Sequence, residues 1–167
     1  MSTHHIVDTN VPIVANNREE NTRSAACVLS CTNFLVELMS TRSVVIDLHW
    51  EVLGEYMHLL RSAGQPGIGD AFLKWVLTNQ ANPNKVTRLE ISGHKLPDEI
   101  ESFDPADHKW LLLGLARPAT PIAQASDSLW WKRRTQLQRA GILIEFLCPE
   151  EIAELSDRKH GPSAYPN

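Results

Sequence analysis

The sequence predicts a single-domain α/β protein, a three-layer α/β/α sandwich built on a mainly parallel sheet. Three observations lead there. Short β-branched runs alternate with segments of helical period along the chain, the pattern of strand–helix–strand crossovers and therefore of parallel pairing. The clearest run, Ser43-Val44-Val45-Ile46-Asp47-Leu48, is apolar without alternation, as a strand covered on both faces requires. A chain of 167 residues with 43% hydrophobic content supplies one core and is short for two.

Each element follows in order. His5-Ile6-Val7-Asp8 is a β-prone run that ends on a carboxylate, and Pro12 with the polar residues 16–21 predicts a loop after it. From Thr22, the residues Val28, Cys31, Leu35, Leu38 and Met39 recur at steps of three and four, which predicts a helix with one buried face. Cys27 and Cys31 fall on that helix as core or flank positions, and with no His at ligand spacing they make a poor zinc site. Residues 43–48 are the second strand. Residues 49–61 turn helical, with Leu53, Tyr56 and Leu60 on one face and Glu51, Glu55 and His58 on another.

Residues 65–69 read as a loop, 71–80 as a helix, 86–91 as a strand and 93–101 as a loop. Asp104 is placed to cap a helix whose first turn holds Pro105 and which must stop near Arg117-Pro118. Residues 121–126 form a strand that delivers Asp127, residues 130–140 a helix stopped by Gly141, and residues 142–147 the last strand. A short helix at 150–155 closes a domain spanning 1–155, and 156–167 is expected to be a loose polar tail.

Composition narrows the setting. No apolar run approaches the ~20 residues of a membrane span, and the N-terminus lacks the basic and apolar regions of a signal peptide, so a cytoplasmic protein is expected. Three Cys, at 27, 31 and 148, fit reduced thiols better than a disulfide framework. The net charge of −4 argues against a nucleic-acid partner until it is resolved along the chain. Residues 1–107 carry a net −6 and residues 145–167 a net −3, whereas residues 108–144 carry six bases against the single acid Asp127. A globally acidic chain can therefore present one cationic surface.

Sites in parallel α/β sheets form outside the carboxyl ends of the strands, where Asp8 and Asp127 are both predicted. Carboxylates gathered there repel one another unless a hard cation holds them. The candidate set is Asp8, Glu55, Asp107 and Asp127, with Asp47, Glu51 and Asp104 in reserve. Taken singly, each except Asp8 has an ordinary structural role as a cap or a solvated acid. Other chemistries lack an anchor. The sequence holds no G-x-S-x-G elbow, no G-x-x-x-x-G-K-[ST] loop and no H-E-x-x-H pair. Asp8-Thr9-Asn10 also lacks the second Asp of haloacid-dehalogenase-type phosphatases.

Several stretches taken together resemble the PIN-domain (PIN-like) nuclease family. Ile6-Val7-Asp8-Thr9-Asn10-Val11 is similar to the family's opening strand and first acid. Val45-Ile46-Asp47 followed by Val52-Leu53-Gly54-Glu55-Tyr56 is similar to the strand and "EY" helix of one branch. Phe103-Asp104-Pro105-Ala106-Asp107-His108-Lys109 resembles the helix with the third acid, Ala125-Ser126-Asp127-Ser128 the final strand-end acid, and Ile142-Leu143-Ile144-Glu145-Phe146-Leu147 the closing strand. The resemblance runs in order from about residue 5 to about residue 150.

The resemblance implies an endoribonuclease with Mg²⁺ or Mn²⁺ held by Asp8, Glu55, Asp107 and Asp127. Thr9, Asn10 and Ser126 are expected to support those ligands by hydrogen bonding. The substrate is expected to be RNA, single-stranded or structured, with single-stranded DNA a further candidate. Lys109, Lys132, Arg133 and Arg134 are expected to hold phosphates beside the cut. Trp130 and Trp131 are read mainly as core, with base stacking the lesser share.

A toxin of a toxin–antitoxin pair or a defence nuclease is the implied setting, with an antitoxin or other protein as partner and no membrane. The apolar excess in Phe34-Leu35-Val36 and Leu38-Met39 favours a homodimer. The chain departs from the pattern at Ser128, where many relatives carry a second acid, which weakens a second metal position. Two other classes compete. One is a PIN-like module that binds nucleic acid or protein without cutting, and the other is a small metal-dependent phosphatase.

Overall fold

The computed structural model describes residues 3–162. In chain order the elements are β1 (His4–Val7), α1 (Asn10–Asn16), α2 (Ala25–Thr41), β2 (Ser43–Asp47), α3 (Glu51–Leu59), α4 (Ile68–Asn79) and β3 (Val86–Leu89). A 3-10 turn at Pro105–Asp107 leads into α5 (His108–Ala116), followed by β4 (Ile122–Gln124), α6 (Ser128–Lys132), α7 (Arg134–Arg139), β5 (Ile144–Phe146) and α8 (Pro149–His160). The five strands form one sheet in the order β3-β2-β1-β4-β5, and every pairing is parallel. This is the single-domain α/β sandwich that the alternating pattern predicts.

The strand order positions the site. The chain builds outward from β1 through β2 to β3, then returns to lay β4 on the other side of β1. Connections from β1 and β4 thus diverge, which makes the carboxyl ends of these two strands the switch point at which parallel α/β sheets form a crevice. Beneath it Ile6, Val7, Val44, Val45, Ile46, Ile122 and Ala123 are buried, packed with Leu35, Leu53, Tyr56, Phe72 and Trp110 from the helices. Burying each large apolar side chain contributes about 1.5–3 kcal/mol, which gives the crevice a rigid floor.

The structure corrects several sequence expectations. Residues 10–16 form α1 where a loop is predicted. Pro12 is the third residue of α1, where its missing N–H would have had no intrahelical partner. Asp8, one residue ahead of the N-cap Thr9, supports the first turn, its carbonyl accepting from Val11 N at 3.0 Å and its Oδ1 from Asn10 N at 3.0 Å. Asn17, at φ 46°, ends it in the left-handed region. Helix α4 begins at Ile68 rather than 71, because Gly69 lets it lie directly on α1. A Cβ at Gly69 would come within 2.0 Å of the Pro12 carbonyl oxygen.

The predicted 130–140 helix begins at Ser128 and breaks at Arg133 (φ −97°, ψ 14°) into α6 and α7. Helix α8 runs through His160, so the boundary at 155/156 falls inside it. Glu150 and Glu151 in its first turn and Arg158, Lys159 and His160 in its last complement the helix dipole. Of the expected loose tail, residues 163–167 lie outside the described residues.

Two further expectations change. Cys27 and Cys148 are joined by a disulfide, which overturns the reading of three reduced thiols. The sequence could not show that α2 and the start of α8 meet across a separation of 121 residues. In the stretch behind the expected homodimer, Phe34, Leu35 and Leu38 belong to the chain's own core, while Val36 is 48% exposed. Among the described residues, no helix is long and apolar enough to cross a membrane.

Candidate functional site: an acidic crevice at the switch point

Asp8 follows the last residue of β1 and is almost fully buried. Its Oδ1 accepts from Asn10 N at 3.0 Å and its Oδ2 from Gln124 Nε2 at 3.1 Å. Asn10 ties the two strand ends together. Its Nδ2 donates to Gln124 Oε1, and its Oδ1 accepts from Ala125 N at 3.0 Å. The Tyr56 hydroxyl, on α3, donates to the Val7 carbonyl at 2.5 Å and pins the end of β1 from below.

The other three acids approach from separate elements. Glu55 projects from α3, where Thr9 Oγ1 donates to its Oε1 at 2.6 Å and Lys109 Nζ lies 2.5 Å from its Oε2. Asp107 ends the 3-10 turn, and its Oδ2 accepts from the indole Nε1 of Trp130 at 3.3 Å. Asp127 caps α6, its Oδ1 accepting from Leu129 N at 2.9 Å and Trp130 N at 3.4 Å.

Electrostatics ties the four together. Burial, and then the charges of Asp107, Asp127 and Glu55, push the Asp8 carboxyl up to about 7 against the Asn10 hydrogen bond. Asp107 is also raised, chiefly by burial and next by Asp127 and Asp104, with the Trp130 hydrogen bond and Lys109 opposing. Tyr56 beneath them is driven well above its ordinary value by burial and by Asp8 and Glu55. The crevice therefore holds more negative charge than its surroundings balance.

An oxygen-only donor set with excess negative charge suits a hard divalent cation. The acids surround the crevice without closing on one point. Among the described residues, the only group of three or more His, Cys, Asp or Glu side chains with ligand atoms close enough to hold a metal ion is Cys27, Cys31 and Cys148. A Mg²⁺ ion, which keeps several waters, would take one or two of these carboxylates directly and the rest through water.

The supporting residues divide. Thr9 and Asn10 bear on the acids, whereas Ser126 lines a surface cavity with Ile13, Asn16, Arg18, Arg23 and Leu59 and hydrogen-bonds none of the four. Of the four basic residues expected to hold phosphates, Lys109 is the one with a described contact to a cluster acid, Glu55. Lys132 Nζ donates to the His160 carbonyl at 3.3 Å. Arg133 donates to Ser102 Oγ at 2.9 Å and to Gln136 Oε1 at 2.8 Å, and it stacks 3.9 Å over the Phe103 ring. Arg134 donates to the Trp131 carbonyl at 2.8 Å and lies 4.3 Å over its ring.

Trp130 is fully buried, while half-buried Trp131 packs edge-on against Phe146 with ring centroids 5.0 Å apart. Of the reserve acids, Asp47 caps α3 through His49, Glu51 and Val52 N–H groups at 2.9, 3.0 and 2.8 Å, and Asp104 caps the 3-10 turn. Ser128 is buried against His160 Nε2 at 3.1 Å.

Gln124 is the residue that sequence reasoning missed. It is fully buried and positions the Asp8 carboxylate. The available signal was one amide within the apolar run Ile122-Ala123-Gln124-Ala125, since an amide buried in a central strand needs partners.

Fold and acids define a class: a parallel α/β domain with a buried carboxylate at its topological switch point and three more, from separate elements, within electrostatic reach of it. No family model matches the chain, and neither a curated protein nor a solved structure matches it.

Proposed function

We propose that the chain is a PIN-like, metal-dependent endoribonuclease that hydrolyses phosphodiester bonds of single-stranded or structured RNA at the Asp8 crevice. The observation that carries this reading is the placement of Glu55, Asp107 and Asp127, from distant parts of the chain, around the buried Asp8 at the end of β1, whose carboxyl is pushed up to about 7 by burial first and then by those three charges. Mg²⁺ or Mn²⁺ would be held by Asp8, Asp107 and Asp127, and by Glu55 once Lys109 releases it. When bound, such an ion lowers the pKa of a water and stabilises charge on the scissile phosphate.

The chain's own residues prepare that chemistry. Gln124 and Asn10 fix the Asp8 carboxylate, and Thr9 orients Glu55. Lys109, at the crevice edge, is the base placed to exchange Glu55 for a substrate phosphate. A cytoplasmic setting, a toxin or defence role and an antitoxin-like partner belong to the same proposal.

The test is Mn²⁺-dependent cleavage of RNA and single-stranded DNA by the parent chain and by Asp8→Asn. The expected loss is about 10³-fold or more, the scale of removing a main charge-stabilising group. Cleavage that persists in Asp8→Asn overturns the assignment, and turnover of small phosphomonoesters without endonuclease activity would make the chain a phosphatase instead. One observation favours a second reading, a PIN-like module that binds without cutting: Lys109 already neutralises Glu55 at 2.5 Å, and Ser128 stands where a further acid is expected.

A further inference from the structure

The fold gathers a second cluster away from the acids. Cys27 and Cys31 lie one turn apart on the buried face of α2, and Cys148 precedes Pro149 at the start of α8. The disulfide uses Cys27 and Cys148, yet Cys31 Sγ lies 4.0 Å from Cys148 Sγ, and all three sulfurs fall within 4.8 Å of one another. A staple between two helices needs two cysteines. The third is fully buried against it, in a position the cross-link does not require.

We propose that Cys27, Cys31 and Cys148, once the disulfide is reduced, form a three-thiolate site for Zn²⁺. In a tetrahedral site with the ordinary Zn–S distance of about 2.3 Å, sulfurs lie roughly 3.8 Å apart with the ion just off their plane. Cys31 Sγ already stands 4.0 Å from Cys148 Sγ, and reduction frees Cys27 and Cys148 to part to that spacing. The fourth position of a tetrahedral zinc falls to water or to Glu151. That carboxylate is anchored by Ser24 N at 3.0 Å and Ser24 Oγ at 2.6 Å, and it lies close enough that its charge adds to burial in raising the Cys31 thiol, which the cation would have to offset. Cys148 lies at the amino end of the 12-residue α8, whose dipole favours the negative charge of a thiolate-rich complex. A groove lined by Ser24, Ala26, Ser30, Leu147, Glu150 and Glu151 passes over Cys27 and Cys148 and gives an ion its entry path.

The chemistry balances with a dithiol reductant. The Cys27–Cys148 bond takes two electrons and two protons, and the dithiol becomes a disulfide. The three thiols then release three protons as the ion enters. The zinc pairing that α2 alone could not complete is thus finished by a residue 117 positions away in sequence.

The test uses the full chain, reduced with a dithiol, desalted without oxygen and titrated with Zn²⁺ alone against a chromophoric chelator. A parallel titration with Co²⁺ reads the thiolate-to-metal charge-transfer band, which the carboxylate crevice cannot produce. One equivalent of Zn²⁺ is expected in the reduced chain, with no band in the oxidised chain. Cys31→Ser, which keeps the disulfide pair, should weaken Zn²⁺ binding at least tenfold and reduce the band, while Asp8→Asn leaves the band unchanged. A reduced, folded chain with no band, or a band undiminished in Cys31→Ser, overturns the proposal. If reduction unfolds the chain, recovery of its circular dichroism on adding Zn²⁺ supports the site, and failure to recover overturns it.

Discussion

Asp8 and Asp70 are both buried, at 7% and 0% exposure, and their proton affinities move in opposite directions. Asp70, near the start of α4, accepts from Arg61 N at 2.8 Å, Gly67 N at 3.2 Å, Asn16 Nδ2 at 3.1 Å and Arg18 Nη2 at 3.0 Å. Burial opposes its charge, but these bonds and the Arg18 guanidinium outweigh it, and its carboxyl is held below the ordinary value. Asp8 has two donors and, among the described residues, no cation, while three carboxylates face it. Low exposure alone therefore does not distinguish a structural acid from a candidate ligand: Asp8 is raised by its burial first and then by the charges facing it, whereas at Asp70 the donors and Arg18 outweigh burial.

The largest effect expected from this contrast lies at the balanced site. Asp70→Ala removes the acceptor of four donors that join α1, α4 and the loop between α3 and α4, while the Arg18 side chain, 31% exposed, regains water. The expected loss is about 3 kcal/mol, the scale of leaving several buried donors without their acceptor. Urea unfolding checks it, and a loss below about 1 kcal/mol would break the contrast.

The unbalanced site should behave in the opposite sense. A carboxyl raised from 3.8 to about 7 is harder to ionise in the folded chain than in the unfolded one. It costs nothing below pH 4, and it lowers stability progressively as pH rises from about 4 to about 7, with the full penalty above that. Asp8→Asn removes the penalty at the expense of one mismatched contact with the Gln124 amide. Its net gain above pH 7 is on the order of 2 kcal/mol, falls to zero between about pH 4 and pH 7, and becomes a small net loss near pH 4, where only the mismatched contact remains. Thermal unfolding across this range reads the crossover. Mg²⁺ or Mn²⁺ should stabilise the parent above pH 7 and leave Asp8→Asn unmoved, by about 2.7 kcal/mol at 100 times the dissociation constant.

The same pair shows what the sequence could tell. Asp8 was legible because a β-branched strand ending on a carboxylate breaks the apolar rule visibly, and Asp107 and Asp127 because each precedes a helix start. Asp70 was not, since its four donors come from residues 16, 18, 61 and 67 and none of that geometry is periodic. Helix α1 was hidden by Pro12, a residue that breaks helix interiors and suits first turns. The break at Arg133 was hidden because residues 130–140 contain neither Gly nor Pro. The disulfide needed the meeting of α2 and α8, a property of the crossovers and of no local segment. Gln124 was visible in the sequence as a polar residue in an apolar strand, but its partners were not.

Gln124 offers a smaller test. Gln124→Leu keeps the volume of a buried side chain and removes a donor from Asp8 and an acceptor from Asn10. The expected cost is about 1–3 kcal/mol, the penalty for leaving buried polar groups without partners. It should be greater above pH 7, where Asp8 is charged and loses a donor, than at pH 5. Equal costs at the two pH values would remove Gln124 from the Asp8 network.

Lys109 gives the smallest stability effect and the sharpest view of the crevice. Its ammonium lies 2.5 Å from Glu55 Oε2 and 5.2 Å from the ring centroid of Trp110, with its side chain 11% exposed and that of Glu55 28%. A partly exposed pair of this kind contributes about 1 kcal/mol or less after solvent screening, so Lys109→Met should change stability by no more than that. Its effect on cations should be larger in relative terms. Removing the ammonium returns a full negative charge to a crevice that already raises Asp8, so Mn²⁺ should bind several-fold more tightly. If Lys109 also holds a substrate phosphate, RNA binding should weaken while Mn²⁺ binding strengthens, a divergence that a purely structural ion pair would not produce. Calorimetric titration of Mn²⁺ and filter binding of single-stranded RNA to Lys109→Met separate the two roles, and unchanged Mn²⁺ affinity would show that Glu55 lies outside the electrostatic unit centred on Asp8.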